Sequence, residues 1–488
     1  MLLPLTFSSM AIAQEDIQKI FDEFQKANEK EFADFRDKAN EEYLEFMRLS
    51  WEWFRGKTPM PKPVHEEPVV PPVVLPEEDR DKELDDRELP YEEVLPEPDP
   101  SPAPEPINPI DESPVPVSRY VTFSIYGTEF SVRYNQDRKP FFSAESDNPV
   151  VDFWEELCLS EESDNLLYDC QLLRKGMGLC DWAFYRFTEA LSHTLYPYSQ
   201  DEASMFHAFV LTQTGFRLRL GYSEDDGHYH FIVATDCDLY EYTFWELETG
   251  HYYLLDGSDI SGMNLISEDF PESVPMRMSI EGEMGLSENL SESRVLTSEQ
   301  YKEATATVCS NLNLIAFYDD YPSALVNEDP RTRWRFYANV PLSRTVRDSL
   351  YPQLKKAVAG KTEYQATDVL LNFVQTAFVY EYDETVWGMD RSFFADESIY
   401  YPFCDCEDRS ILFSRLVRDL MGLDVVLIYY PGHLATAVKF TQPVSGDYIT
   451  YGNERYTICD PTYINAPVGM TMPDMDNASA FVLPLSSF

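Results

Sequence analysis

The chain has 488 residues, enough for two or three domains, and its 14% aromatic content can fill sizeable cores. A net charge of -48 and a pI near 4.3 exclude a phosphate-backbone binder, which needs basic patches. The chain has no apolar run of about 18 residues, so no transmembrane span is expected.

Residues 1–13, MLLPLTFSSMAIA, read as a signal-peptide remnant: a short apolar run, then Ala11-Ile12-Ala13 as an A-x-A cleavage pattern. The basic n-region is missing, so either the start lies upstream or the pattern is accidental. The expectation is export, to a secreted or periplasmic location in a bacterial envelope. Residues 14–56 form an amphipathic helical segment. Ile17, Phe21, Phe24, Phe32, Phe35, Ala39, Tyr43 and Phe46 recur at threes and fours. It could dock a partner, self-associate or pack on its own chain. Residues 57–118 hold 17 of the chain's 34 prolines among Glu and Asp, and read as a disordered, self-repelling linker.

A globular body starts near Arg119, with a hairpin signal turning at Tyr126-Gly127. Helical segments follow from about 148 to 196. Residues 258–300 are acidic and Ser-rich, although SVPMRMSIEGEM within them looks like strand. LNLIAFYDD and RWRFYANVPLS look like hairpin segments that echo residues 119–134.

Most of the chemistry lies in CDCEDRSILFSRLVRDLMGLDVVLIYYPGHLATAVKF, from 404, and in CDPTY at 459–463. Cys406 opens a helix with Ile411, Leu412, Leu416, Val417 and Leu420 on one face and Gly422 as its stop. Exposed N–H groups at a helix start favour thiolate. Residues 424–430 read as a buried strand, Pro431-Gly432 as a turn, and His433 as the start of the next strand. A third strand ends at Asp460.

Helix-start Cys, strand His and strand-end Asp, in that order, resemble the transglutaminase-like superfamily over residues 340–470. The closest likeness is to bacterial cysteine-peptidase members with a GDCED-type motif, whose Gly position is Cys404 here. The resemblance implies a papain-like triad: Cys406 as nucleophile, His433 as general base and acid, and Asp460 orienting the imidazole. It implies attack on amide carbonyls and a thioester released to water or an amine. The residues agree with it, because a thiol needs a base and the base needs a partner fixing its tautomer. His433 has no rival in the C-terminal 150 residues. Asp405, Glu407 and Asp408 crowd the thiol. They raise its pKa but also favour a protonated His433; Asp408 could equally cap the helix, and Arg409 could neutralise part of the cluster. Tyr400, Tyr401, Gln375 and Trp387 are candidate oxyanion donors beside the Cys406 N–H.

An echo precedes this motif by about 207 residues: Gly215 lies 16 residues after Ser199, as Gly422 lies 16 after Cys406. His230 or His228, and Asp256, fill the other two places. The expected fold is α+β. Residues 301–488 would form a transglutaminase-like, papain-like catalytic domain, and 119–300 a degenerate copy with serine for the thiol. The expected function is an exported enzyme acting on peptide-type amides of a peptide or protein substrate, by hydrolysis or acyl transfer. The alternative is a non-catalytic envelope scaffold or binding protein that keeps the fold. No cofactor is expected. No CxxC pair or zinc-spaced Cys/His cluster occurs, so no metal is expected either. If Cys406 is a free nucleophile, at least one more of the eight cysteines is unpaired; Cys404 and Cys459 are a plausible pair.

Overall fold

A computed structural model describes residues 36–49, 51–62, 73–98, 101–104, 112 and 119–486. The signal-like residues 1–13, the helix expectation over 14–35 and the rest of the linker lie outside the described residues. The fold is mixed α+β, as expected, with helices packed on curled, mainly antiparallel sheets.

The first half opens with the hairpin Tyr120–Ile125 and Thr128–Arg133. Its strands alternate, with Val121, Phe123 and Ile125 turned inward. Tyr126 and Gly127 both have positive φ, 44° and 66°, which suits the twist of a two-residue hairpin turn. A Cβ at Gly127 would stand 2.4 Å from the Asn313 side chain, so only glycine fits. Helices Pro149–Cys158, Glu161–Met177, Asp181–Leu195 and Gln200–Gln213 follow. A six-stranded sheet comes next, in the order Phe244–Leu247, Gly250–Tyr253, Tyr229–Ala234, Leu218–Tyr222, Gly262–Leu265 and Glu52–Arg55.

The second half repeats that order. Its sheet runs Asp447–Tyr451, Glu454–Cys459, His433–Val438, Val425–Tyr430, Phe481–Pro484 and Glu93–Val94, with Arg87–Glu88 added outside the first of these. The corresponding strands come from the same places in each half: a central hairpin, a second hairpin beside it, a late strand, and an edge strand from far upstream. One difference is direction, since Glu52–Arg55 is antiparallel to its neighbour and Glu93–Val94 is parallel. Each sheet curls until the upstream segment reaches both edges. In the first, Glu52–Arg55 lines one edge while Lys57 bridges to Phe244 on the other. In the second, Arg87–Glu88 and Glu93–Val94 take opposite edges. The enclosed cores are Ile232, Trp245, Tyr252, Met263 and Leu265 in one, and Leu89, Ile428, Tyr430, Ile449, Ile458 and Val482 in the other.

Several expectations are corrected. Residues 73–98 of the expected linker pack against the second half. Leu75, Leu89 and Leu95 are buried there, Arg80 pairs with Asp368, and Arg87 makes two bonds to Asp447. Sparse apolar and basic residues in an acidic, proline-rich chain suffice when the body supplies the sheet edges. LNLIAFYDD is a helix, Leu312–Asp320, capped by the Asn311 side chain. Leu314, Phe317 and Tyr318 recur at helical spacing, which outweighs its strand-like composition. The hairpin that opens the second half is Arg294–Thr297 with Thr305–Val308, so the expected boundary at 300 falls inside it. SVPMRMSIEGEM forms no ladder and makes only single bridges at Val274 and Met276. The helical residues 36–47 pack on their own chain: Tyr43 lies against Trp154 and Phe270, and Asn40 accepts from Gln213 Nε2.

Candidate active site

The helix Cys406–Met421 carries the thiol at its first residue. Asp405 before it is extended, and its N–H donates to Asp408 Oδ2 at 3.3 Å; Asp408 Oδ1 accepts from the Phe393 N–H at 2.8 Å. Asp408 is thus a cap. Gly422 ends the helix at φ 65°. Ile411, Leu412, Phe413, Leu416 and Val417 are fully buried, each contributing about 1.5–3 kcal/mol relative to exposure. This packing fixes where the helix start points. Ser410 Oγ donates to the Leu434 carbonyl at 2.7 Å and ties the first turn to the strand that begins with His433.

His433 and Asp460 sit at the same end of neighbouring strands, whose register pairs Thr436 with Cys459. His433 Nε2 lies 2.9 Å from Asp460 Oδ2, and both residues are buried. The Tyr430 ring stacks beside the imidazole. Asp460 Oδ1 accepts the N–H groups of Thr462 and Tyr463, at 2.9 and 3.2 Å. The carboxylate is therefore fixed on one side by its own turn and on the other by the imidazole.

The thiol is differently engaged. Cys406 Sγ donates to Glu407 Oε2 at 3.2 Å. Among the described residues no hydrogen bond joins Cys406 to His433, although the Leu434 N–H, one residue on, faces the sulfur. Burial first, then the Glu407 and Asp405 carboxylates, push the thiol well above its usual range. Burial and neighbouring carboxylates also hold Asp405 and Asp408 well above theirs, and Asp383 is pushed up to about 8 by burial and Glu407. Arg409 does not neutralise them by contact: it donates to the carbonyls of Gln375 and Phe378 and lies over the Tyr380 ring. Two groupings bring ligand atoms within 4.8 Å and could hold a cation: Asp383, Asp390 and Glu407, or Asp405, Cys406 and Glu407. Cys404 and Cys459 are not joined; both are buried free thiols.

The expected oxyanion donors are elsewhere engaged. Gln375 Nε2 donates to three carbonyls of the Asp460 loop, Tyr401 donates to Asp319, and Trp387 packs on Phe393 and Tyr401. Tyr400 offers its carbonyl to Arg294. The hydroxyls that sense Cys406 are those of Tyr380 and Tyr382, both raised by burial and by the thiol, so both are neutral donors. Val379–Tyr380 pairs in parallel with Phe403–Cys404, just ahead of the helix, and this brings Tyr380 to the site. Tyr380, Tyr382, Asp383 and Asp390 escaped sequence reasoning. Their signal was the alternation of tyrosine and acid in YEYDETVWGMD, close upstream of the cysteine.

In the first half, Ser199 directly precedes the helix Gln200–Gln213. Of the two candidate histidines, His230 meets Asp256, Nδ1 to Oδ2 at 2.7 Å, and its Nε2 meets Asp226 Oδ2 at 3.0 Å. His228 meets Asp201 instead. Among the described residues no hydrogen bond joins Ser199 to either histidine. Burial lowers the His230 pKa, but Asp256 and Asp226 outweigh it and leave the imidazole raised. No family model, curated protein or solved structure matches the chain.

Proposed function

We propose that the second half is a transglutaminase-like thiol enzyme that cleaves or transfers peptide-type amides through a Cys406 thioester. The observation that carries this reading is the buried His433–Asp460 pair beside a helix that begins with cysteine. With Nε2 committed to Asp460, Nδ1 is the nitrogen left for the thiol. Cys406 would turn from Glu407 to His433 and pass its proton to Nδ1. The thiolate then attacks the carbonyl carbon, and the oxyanion meets the Cys406 N–H and a Tyr380 or Tyr382 hydroxyl. The imidazolium returns the proton to the leaving amine as the C–N bond breaks. Water or a second amine, deprotonated by His433, opens the thioester.

The thiol's raised pKa and its bond to Glu407 favour a second reading, a scaffold that retains the fold without turnover. Export to the envelope is part of either proposal and rests on the A-x-A pattern alone; no described helix is long and apolar enough to cross a membrane. Acyl trapping separates the two. After incubation with a small activated ester and an acid quench, the enzyme gains the mass of one acyl group and Cys406→Ala gains none. Equal labelling of both, or of neither, supports the scaffold.

A further inference from the structure

The loop that carries Asp460 is held from two sides. From inside, Gln375 Nε2 lies 3.0, 2.7 and 3.1 Å from the carbonyls of Asp460, Tyr463 and Ala466. From outside, residues 73–80 run along it. The Leu75 N–H donates to the Ile464 carbonyl at 2.8 Å, and the Ile464 N–H donates to the Val73 carbonyl at 2.9 Å. Leu75 packs with Tyr463, Ala466 and Met472. Arg80 Nη1 donates to the Asn465 carbonyl at 2.7 Å, and its Nη2 donates to Asp368 Oδ2 at 2.7 Å. Asp368 Oδ1 in turn accepts the Val468 N–H at 3.3 Å. Among the described residues, no other segment bonds to the backbone of 464 or 465, and Asn465 is held at a positive φ of 65°.

We propose that residues 73–80 are a working part of the candidate active site, with Arg80 a positioning residue that holds the Asp460 carboxylate against His433. This rests on reading Cys406, His433 and Asp460 as the site. The Arg80 and Asp368 side chains are only 10% and 7% exposed. Removing the guanidinium takes away the Asn465 carbonyl's donor and leaves the buried Asp368 carboxylate without a cation, with the Tyr301 hydroxyl and the Val468 N–H as its remaining donors, a larger perturbation than losing a surface ion pair. Asp460 reaches His433 from the first residue of that loop, so motion of residues 463–466 is passed on through the turn bonds at Thr462 and Tyr463.

The test is hydrogen exchange of histidine ring N–H groups in the full chain labelled with 15N-histidine, with Asp460→Asn assigning the His433 signal. In Arg80→Ala the His433 ring N–H exchanges at least about tenfold faster than in wild type. Arg80→Lys keeps the charge against Asp368 and stays within about threefold of wild type. The His230 signals, pinned by two carboxylates in the other half, are unchanged and report that the chain is folded. Unchanged His433 exchange in Arg80→Ala overturns the proposal, as does a rise shared equally by His230. If Arg80→Ala does not fold, Leu75→Ala replaces it, with a rise of about threefold expected and no rise overturning the claim. The readout does not use the thiol. An inert Cys406 would sink the enzyme reading while the exchange still decides the role of Arg80.

Discussion

The two halves build the same strand order and place a histidine and an aspartate at the same end of it, yet among the described residues only the second-half imidazole keeps a ring nitrogen with no hydrogen-bond partner. In the second half, two residues, Pro431 and Gly432, separate the paired Tyr430 and His433. In the first half, Tyr222 pairs with Tyr229 and the turn between them is six residues long. That longer turn delivers Asp226 to His230 Nε2. An imidazole with a carboxylate on each nitrogen is held as a cation and cannot accept a proton. Serine in place of cysteine removes the second requirement. Four extra turn residues thus bring a second carboxylate to the imidazole while the strand order stays the same.

The sharpest way to break the comparison is to delete the aspartate in each half. Asp460→Ala leaves His433 unoriented and the Thr462 and Tyr463 N–H groups without their acceptor, and alkylation of Cys406 falls by about 100-fold. Asp256→Ala leaves Cys406 alkylation as it was and costs about 1–3 kcal/mol of stability, read by denaturant titration. Equal effects of the two on the thiol would erase the distinction.

A smaller effect separates the thiol's two partners. Glu407→Gln removes the carboxylate that accepts from Cys406 and helps to raise its pKa. Alkylation at neutral pH should rise about tenfold, less than the loss expected on removing Asp460. A fall would mean that Glu407 supports the reactive form.

The smallest effects are in the pH dependence of stability. Asp383 has a raised folded pKa, so its contribution is fully present below its unfolded value and is lost as pH rises to about 8. His230 is also raised, so its contribution is present below about 6.5 and lost as pH rises through its folded value. Melting temperature should therefore fall from pH 5 to pH 8. Asp383→Asn should flatten that slope from pH 5 to about 8, and Asp226→Asn only the part above about 6.5. A parallel shift of the whole curve in either variant would contradict the assignment.

How much of this was legible in the sequence depends on the range of the interaction. The helix at Cys406, its Gly422 stop, the Pro431-Gly432 turn and the strands on either side were readable because each is encoded within a few residues. His433 and Asp460 were readable as candidates, but their meeting depends on a non-local pairing, because the strand ending at Cys459 adds beside the His433 strand and not beside its sequence neighbour alone. The role of 73–98 was not, because its partners, Asp368, Asp447 and Ile464, lie hundreds of residues away and its composition is that of a linker. From the sequence Gln375 is only one of four candidate oxyanion donors; its burial against three carbonyls, which sets its actual role, depends on tertiary packing. Glu407 as the thiol's acceptor depends on a rotamer, which no pattern of residues reveals.

The central claim is that Cys406 is activated by His433 and that nothing comparable exists in the first half. Peptide mapping after brief iodoacetamide treatment of the folded chain tests it most directly, comparing wild type with His433→Ala and His230→Ala. The account predicts that Cys406 is labelled before the other seven cysteines, that His433→Ala slows this by about 100-fold, and that His230→Ala does not change it. First labelling at a half-buried thiol such as Cys309 or Cys158, with Cys406 indifferent to His433, would contradict it.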